Sequence, residues 1–202
     1  MFQVRIHGRG GQGVVAAAEI LSMAAFDEGR HAQAFPSFGS ERMGAPVVSY
    51  CRIDDRPIRT HEPIAEPDAL IVQDATLVHQ VDLFAGLADD AYVLVNTSCS
   101  VADLGLTELA ARLRPDRLRT CPATALALEH VGRPLPNAAL LGGFAALTGR
   151  ISLEALEKAV TERFAGPVGT ANAAAARAAH RFVADGVRPD GTREEAARAR
   201  AD

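Results

Sequence analysis

Gly8, Gly10, Gly11 and Gly13 fall within six residues of IHGRGGQG, and no other stretch constrains the fold as much. Before the cluster, FQVRIH alternates Phe2, Val4 and Ile6 against Gln3, Arg5 and His7, the period of a strand with one face buried. After it, GVVAAAEILSMAAFDEG keeps helical spacing for about four turns and stops at Gly29. Glycines let a backbone turn sharply and approach a neighbour closely. The amides that follow open a helix, where the helix dipole favours negative charge. Gly8, Gly10 and Gly13 match G-x-G-x-x-G, the turn of dinucleotide-binding domains, placed between strand and helix as that turn requires.

A dinucleotide site also needs an acid at the end of the second strand, about 20 residues on, to hold a ribose hydroxyl. HAQAF, residues 31–35, reads as that strand, and it runs into Pro36, Ser37 and Phe38. Asp27 and Glu28 come too early and Glu41 too late, in a loop. A P-loop is also excluded, because no Lys-Ser or Lys-Thr follows the glycines and Lys158 is the only lysine in the chain. The missing clamp counts against a classical NAD or FAD site, and the turn is left with three uses: a nucleotide held without that clamp, another anion, or close packing of the first helix on the sheet.

Along the rest of the chain, VVSYCRID and RPIRT flank Asp54-Asp55 and read as an antiparallel hairpin. DALIVQD and YVLVNTS are apolar enough for central strands covered on both faces, with helical spacing in ATLVHQVDLFAGL between them. After residue 105 the pattern is mainly helical: LTELAARL, ATALALEHVG, NAALLGGFAALTG, SLEALEKAVTERF and an alanine-rich stretch over about 168–183. Ser152 is placed to cap one of these helices, and Asn137, after Pro136, another. The alternation predicts an α/β, Rossmann-like layered fold: a mostly parallel mixed sheet flanked by helices, with one antiparallel hairpin. One domain is expected over residues 1–184, followed by a flexible tail over 185–202 that has no large apolar residue beyond Val187.

Composition removes several function classes. The net charge is −4 with no long basic block, and Trp is absent with only two Tyr, so nucleic acid is a poor partner. No apolar run reaches the length of a membrane span and no leader precedes the first strand, so a cytoplasmic protein is expected. Cys51, Cys99 and Cys121 are widely spaced, which leaves the chain without the ligands for an iron–sulfur cluster or structural zinc of its own. The six histidines show no metal-type spacing.

Two segments taken together point further. HGRGGQGV, paired in order with QAFPSFGSERMGAPVVSYCRIDDRPI, resembles the gamma subunit of the 2-oxoacid:ferredoxin oxidoreductases, the pyruvate and ketoisovalerate group. EPDALIVQDATL, VLVNTS and GRPLPNAALLGGFAALTGRISLEALEKAVTERF extend the likeness from Phe2 to about Val183. The resemblance implies an enzyme that decarboxylates a 2-oxoacid on thiamine diphosphate with Mg. It would pass electrons through [4Fe-4S] clusters to ferredoxin or another acceptor, and transfer the acyl group to coenzyme A. It also implies alpha, beta and ferredoxin-like delta partners that hold the thiamine and the clusters. The gamma chain, inactive alone, would shape the coenzyme A side of the active site and support assembly. The family loop often carries a second arginine where this chain has Met43, which removes one positive charge.

The candidate cofactor-binding residues are Gly8, Arg9, Gly10, Gly11, Gln12 and Gly13 of the turn, Ser37, Phe38, Gly39, Glu41 and Arg42 of the Gly/Pro loop, and Asn96 at the end of a buried strand. Arg42 suits a phosphate or carboxylate, or an ion pair that fixes a subunit contact. Arg9 faces either an anion or solvent. Asn96, with Thr97 and Ser98, either contacts a ligand or forms a turn. His7, at the end of the first strand, reads as a hydrogen-bonded strand-end residue. The competing function is a stand-alone nucleotide-binding oxidoreductase or sensor built on the same glycine turn.

Overall fold

The computed structural model describes residues 1–37 and 43–186. The first strand, β1 (Phe2–Arg9), lies mid-sheet. It pairs antiparallel with β3 (Pro46–Asp54) and parallel with β4 (Ala69–Val72). Beyond β4 come β5 (Tyr92–Asn96) and β6 (Leu118–Cys121), each parallel to its neighbour. At the other edge β2 (His31–Pro36) runs antiparallel to β3. The order is β2-β3-β1-β4-β5-β6, with three parallel and two antiparallel pairings. The expected mixed, mostly parallel α/β sheet is the one observed.

The expected hairpin partner is corrected. RPIRT, residues 56–60, forms no strand; the antiparallel partners of VVSYCRID are β1 and β2. A strand has two edges, and those of β3 are both taken. Pro57 could not have donated to a ladder. The segment folds instead across one sheet face, where the Arg52 guanidinium donates to the carbonyls of Thr60 and Glu62. ATLVHQVDLFAGL also departs from expectation: only a 3₁₀ turn, Ala75–His79, forms there. Leu118–Cys121 is a strand within a region read as helical.

Side-chain alternation sorts two cores. Val4, Ile6, Cys51, Ile53, Ile71 and Leu94 face α1 (Val14–Asp27), α4 (Asn137–Thr148), α5 (Leu153–Arg163) and α6 (Pro167–Gly186). Helix α4 is buried nearly all round, as its sequence NAALLGGFAALT dictates, and sits between sheet and outer helices. Its Gly142 is required by that packing: a Cβ there would stand 1.9 Å from the Ala176 carbonyl oxygen of α6. Ser152 caps α5 as expected, accepting from Ala155 N–H at 3.1 Å. Asn137 does not cap α4; it is the first residue of that helix, after Pro136. A smaller core on the opposite face joins Leu70, Val72, Val93 and Val95 to Leu77, Leu83, Leu87, Leu106 and Leu113, with α2 (Thr107–Arg112) alongside. Helix α3 (Ala123–Val131) follows β6 on the α6 side. Helix α6 runs to Gly186; residues 187–202, most of the expected tail, lie outside the described residues.

Candidate functional site

After β1 the chain turns into α1 on one face of the sheet, and after β4 it turns to Leu77 on the other. Where neighbouring parallel strands send their connections to opposite faces, a crevice opens at their carboxyl ends, the usual ligand position in open α/β sheets. Here that crevice is about 550 Å³, lined by Gly10, Gly11, Gln12, Met43, Gln73, Asp74, Ala75, Asn96, Thr124, Pro134 and Leu135. Four of the residues singled out from sequence, Gly10, Gly11, Gln12 and Asn96, therefore meet in one place.

The turn is held from within. Arg9 donates from Nε to Asp74 at 3.1 Å, and from its terminal nitrogens to the Gly44 carbonyl at 3.1 Å and to Thr76 and Gln80 at 2.7 Å each. Gln12 accepts from Arg9 N–H at 2.8 Å and donates to Asp74 at 3.0 Å. Asp74 also accepts from Thr76 N–H at 3.0 Å, which starts the 3₁₀ turn. Burial alone would raise the Asp74 pKa. Hydrogen bonds from Thr76 and Gln12 and the charge of Arg9 outweigh it and hold the carboxyl below its ordinary value. Arg9 is thus neither a free anion ligand nor a solvated side chain; it ties the turn to β4 and to Gly44.

The glycines are filled by the chain itself. A Cβ on Gly8 would stand 2.7 Å from Val14 Cγ2, one on Gly11 2.7 Å from the Met43 sulfur, and one on Gly13 2.5 Å from Asn137 Nδ2. Gly11 and Gly13 also have φ of +94° and +74°. Packing against Val14, Met43 and Asn137 thus accounts for glycine at these positions. On the far side of the turn a second hollow of about 380 Å³ is lined by Arg9, Gly10, Gly11, the α1 start at Val14, Val15 and Ala16, and Arg163. No side chain caps that helix start.

Asn96 is occupied structurally. Its amide donates to Gln73 O at 2.8 Å and to Thr124 Oγ1 at 2.7 Å, and its oxygen accepts from Thr124 N–H at 3.1 Å, so it closes the start of α3. Thr97 accepts from Cys99 N–H at 3.0 Å, a turn contact. Ser37 donates its N–H to Val48 O at 3.0 Å and extends the β2–β3 ladder; it does not line the crevice. Phe38, Gly39, Glu41 and Arg42 lie outside the described residues. His7 sits among the sheet residues on the face opposite α1; burial first, then the Arg5 charge, push its pKa down to about 4.

Gln73, Asp74 and Thr124 were not singled out from sequence. The signal was present: DALIVQD ends an otherwise apolar parallel strand on two polar residues, and the carboxyl end of such a strand opens on the crevice. Gln73 is 1% exposed, and both polar atoms of its side chain lack a hydrogen-bond partner.

A Rossmann-like α/β domain with its glycine turn and crevice at the carboxyl ends of β1, β4 and β5 is the class that this architecture defines. Residues 3–182 match the family model described as pyruvate ferredoxin/flavodoxin oxidoreductase. The chain is 47% identical over 180 residues to pyruvate synthase subunit PorC of Methanothermobacter marburgensis, covering 89% of this chain and 96% of that one. It is 48% identical over 180 residues to the pyruvate/ketoisovalerate oxidoreductases common subunit gamma of Pyrococcus furiosus, with the same coverage. The crystal structure of pyruvate oxidoreductase subunit PORC from Thermotoga maritima superposes with a TM-score of 0.75 at 33% identity, over 89% of this chain and 95% of that one. The chain belongs to the pyruvate ferredoxin/flavodoxin oxidoreductase family, as a gamma-type subunit of a 2-oxoacid oxidoreductase.

Proposed function

We propose that this chain works in the cytoplasm with alpha, beta and ferredoxin-like delta subunits, and that together they oxidise pyruvate or a related 2-oxoacid to an acyl-CoA. In that reaction the 2-oxoacid loses CO₂, two electrons pass to ferredoxin, and the acyl group joins the coenzyme A sulfur. Thiamine diphosphate, when bound by the partners, supplies the stabilised carbanion that decarboxylation needs. This chain forms part of the wall on the coenzyme A side and keeps that wall rigid through the Arg9–Asp74–Gln12 lock. Ser37, Phe38, Gly39, Glu41 and Arg42 contribute to contact with the cofactor or the partners, with Arg42 suited by its chemistry to a phosphate or carboxylate.

Electron transfer is assigned to the partners on the chemistry of the donors here. Among the described residues no group of three or more His, Cys, Asp or Glu could hold a metal. Burial pushes the thiols of Cys51 and Cys121 up to about 12, which suits inert core residues. The reading is carried by the nearly end-to-end match to chains named as one subunit of pyruvate synthase or of pyruvate/ketoisovalerate oxidoreductases.

Reconstitution tests it. Alpha, beta and delta chains are assembled with and without this chain, and ferredoxin reduction is followed with a panel of 2-oxoacids. Coenzyme A-dependent turnover is expected to require it. Full turnover and an unchanged KM for coenzyme A in its absence would defeat the proposal.

A further inference from the structure

The two edges of the sheet differ in how open they are to another strand. At one, β6 is four residues long and carries Arg119, and both shortness and charge discourage further pairing. At the other, β2 has six residues, HAQAFP, with no Lys, Arg, Asp or Glu among them. The register fixes which of its backbone groups point outward. Ser37 N–H donates to Val48 O, so Ser37, Phe35, Gln33 and His31 turn their backbone groups toward β3, while Ala32 and Ala34 turn theirs away. Among the described residues nothing pairs with those outward groups. Pro36 also points outward, where its missing N–H takes nothing from the ladder.

The helix above this edge is open on the same side. Helix α1 packs on β2 and β3 below it and on α5 beside it, where Asp27 pairs with Lys158 and Glu19 with Arg163. At about 100° per residue, that leaves Val15, Ser22 and Phe26 on the side over the free edge of β2. Phe26 is 74% exposed. Neither segment outside the described residues suits the edge. Ser37 is bonded to β3 and Gly44 N–H to Gly10 O, so residues 38–42 are too few to run out past β2 as far as Ala32 and return. Residues 187–202, VRPDGTREEAARARAD, hold only Val187 and Thr192 of the types that favour strands.

A second copy of the chain fits in register, charge and shape. A two-fold axis at Gln33 pairs Ala32 with Ala34 of the second copy and Ala34 with its Ala32, so the outward N–H and C=O groups of both residues are bonded. Gln33 then faces Gln33 and His31 faces Phe35, so no like charges stand opposite each other. Because α1 lies over β2 and β3, the two α1 helices come about 10 Å apart, the spacing of packed helices. Each α1 runs opposite to its β2, which brings Phe26 of one copy to Val15 of the other, with the small Ser22 at the crossing. We propose that two copies of this chain join edge to edge through β2, antiparallel about a two-fold axis at Gln33, with the Val15–Ser22–Phe26 sides of α1 packed over the seam. One sheet then runs through both copies, and their two crevices open on opposite sides of it.

A disulfide tests the register, in the full-length chain and in the assembled oxidoreductase. Cys99→Ser removes the exposed thiol. Gln33→Cys then places the two new thiols at a cross-strand pair not joined by hydrogen bonds, with Cα atoms about 4.5 Å apart, within disulfide reach. Mild oxidation is expected to link more than about half of the chain into a band at twice its mass on non-reducing gels. Ala34→Cys, whose two copies lie more than about 7 Å apart, is expected to link at least about tenfold less. Gln33→Glu, independent of any disulfide, sets two carboxylates face to face; the dimer Kd in sedimentation equilibrium is expected to rise about tenfold and to fall again in 1 M salt, where charges are screened to about 3 Å. A parent chain that stays monomeric, equal linking at positions 33 and 34, or capture of a different subunit by the Gln33→Cys variant would overturn the proposal.

Discussion

Arg9, at the end of β1, and Asp74, just beyond β4, tie together the carboxyl ends of two neighbouring strands. The pair is part-buried, and Thr76, Gln80, Gln12 and Gly44 complete it. Asp74→Ala leaves Arg9 Nε, the Gln12 amide nitrogen and the Thr76 N–H without the acceptor they share, and a loss of about 1–3 kcal/mol is expected in urea unfolding. Because the Asp74 pKa is depressed, its contribution is present above the unfolded carboxyl value, near 3.9, and disappears as the pH falls through the lower folded value. His7 gives a second acid-side window of different origin. Its folded pKa of about 4 lies below the ordinary 6.5, so the fold favours the neutral ring. The His7 contribution is complete above pH 6.5, declines as the pH falls toward 4, and changes no further below that. Each unit of depression corresponds to about 1.4 kcal/mol. His7→Asn is expected to flatten stability over that interval; a slope equal to the parent's would assign the decline to another group. None of this was legible in the letters, because Arg9 and Asp74 are 65 residues apart and a partner at that distance leaves no periodic trace.

At the scale of elements, the sequence was clearest where a segment answers to its own period. The alternation in β1, the glycine stop after α1 and the Ser152 cap on α5 depend on neighbours a few residues away, and all are present. It was least clear where pairing is decided elsewhere. VVSYCRID carries the alternation of a strand but nothing that says which strands will take its edges. LRTC, at four residues, is too short for a period to declare itself between two helices. Close helix contact was equally hidden: Gly142 and Gly143 look alike in sequence. A Cβ on Gly142 meets main chain at 1.9 Å, whereas one on Gly143 meets the side chains of Val183 at 3.1 Å and Leu94 at 3.3 Å, which can shift. Gly142→Ala is therefore expected to cost about 2–3 kcal/mol, a fall in Tm on the order of 5–10 °C. Gly143→Ala is expected to be near neutral, because the better helix propensity of alanine, worth about 1 kcal/mol, offsets the crowding. Calorimetry of the two variants separates these outcomes, and equal losses would show that α4 and α6 can move apart.

For the molecule as a whole, the question is whether the sheet opens as one unit or as two halves. Its antiparallel side, β2-β3-β1, holds Cys51, and its parallel end holds Cys121. Both thiols are buried, both lie in the larger core, and burial holds both near a pKa of 12, so neither reacts while the fold is closed. Cys99 is exposed and serves as the internal control. The larger core is continuous from Val47 and Cys51 across Ile6 and Leu94 to Cys121, with α4 packed at its centre. A continuous core makes partial opening expensive, because exposing either half uncovers the helix shared by both. Labelling of the full chain with a thiol reagent, followed by mass spectrometry, is expected to modify Cys99 at once and then Cys51 and Cys121 together. Their common rate should fall in step with any increase in global stability. Earlier modification of Cys121 alone would show that β6 and its flanking helices detach first, and that the crevice, which Asn96 and Thr124 of that half complete, can open without unfolding the glycine turn.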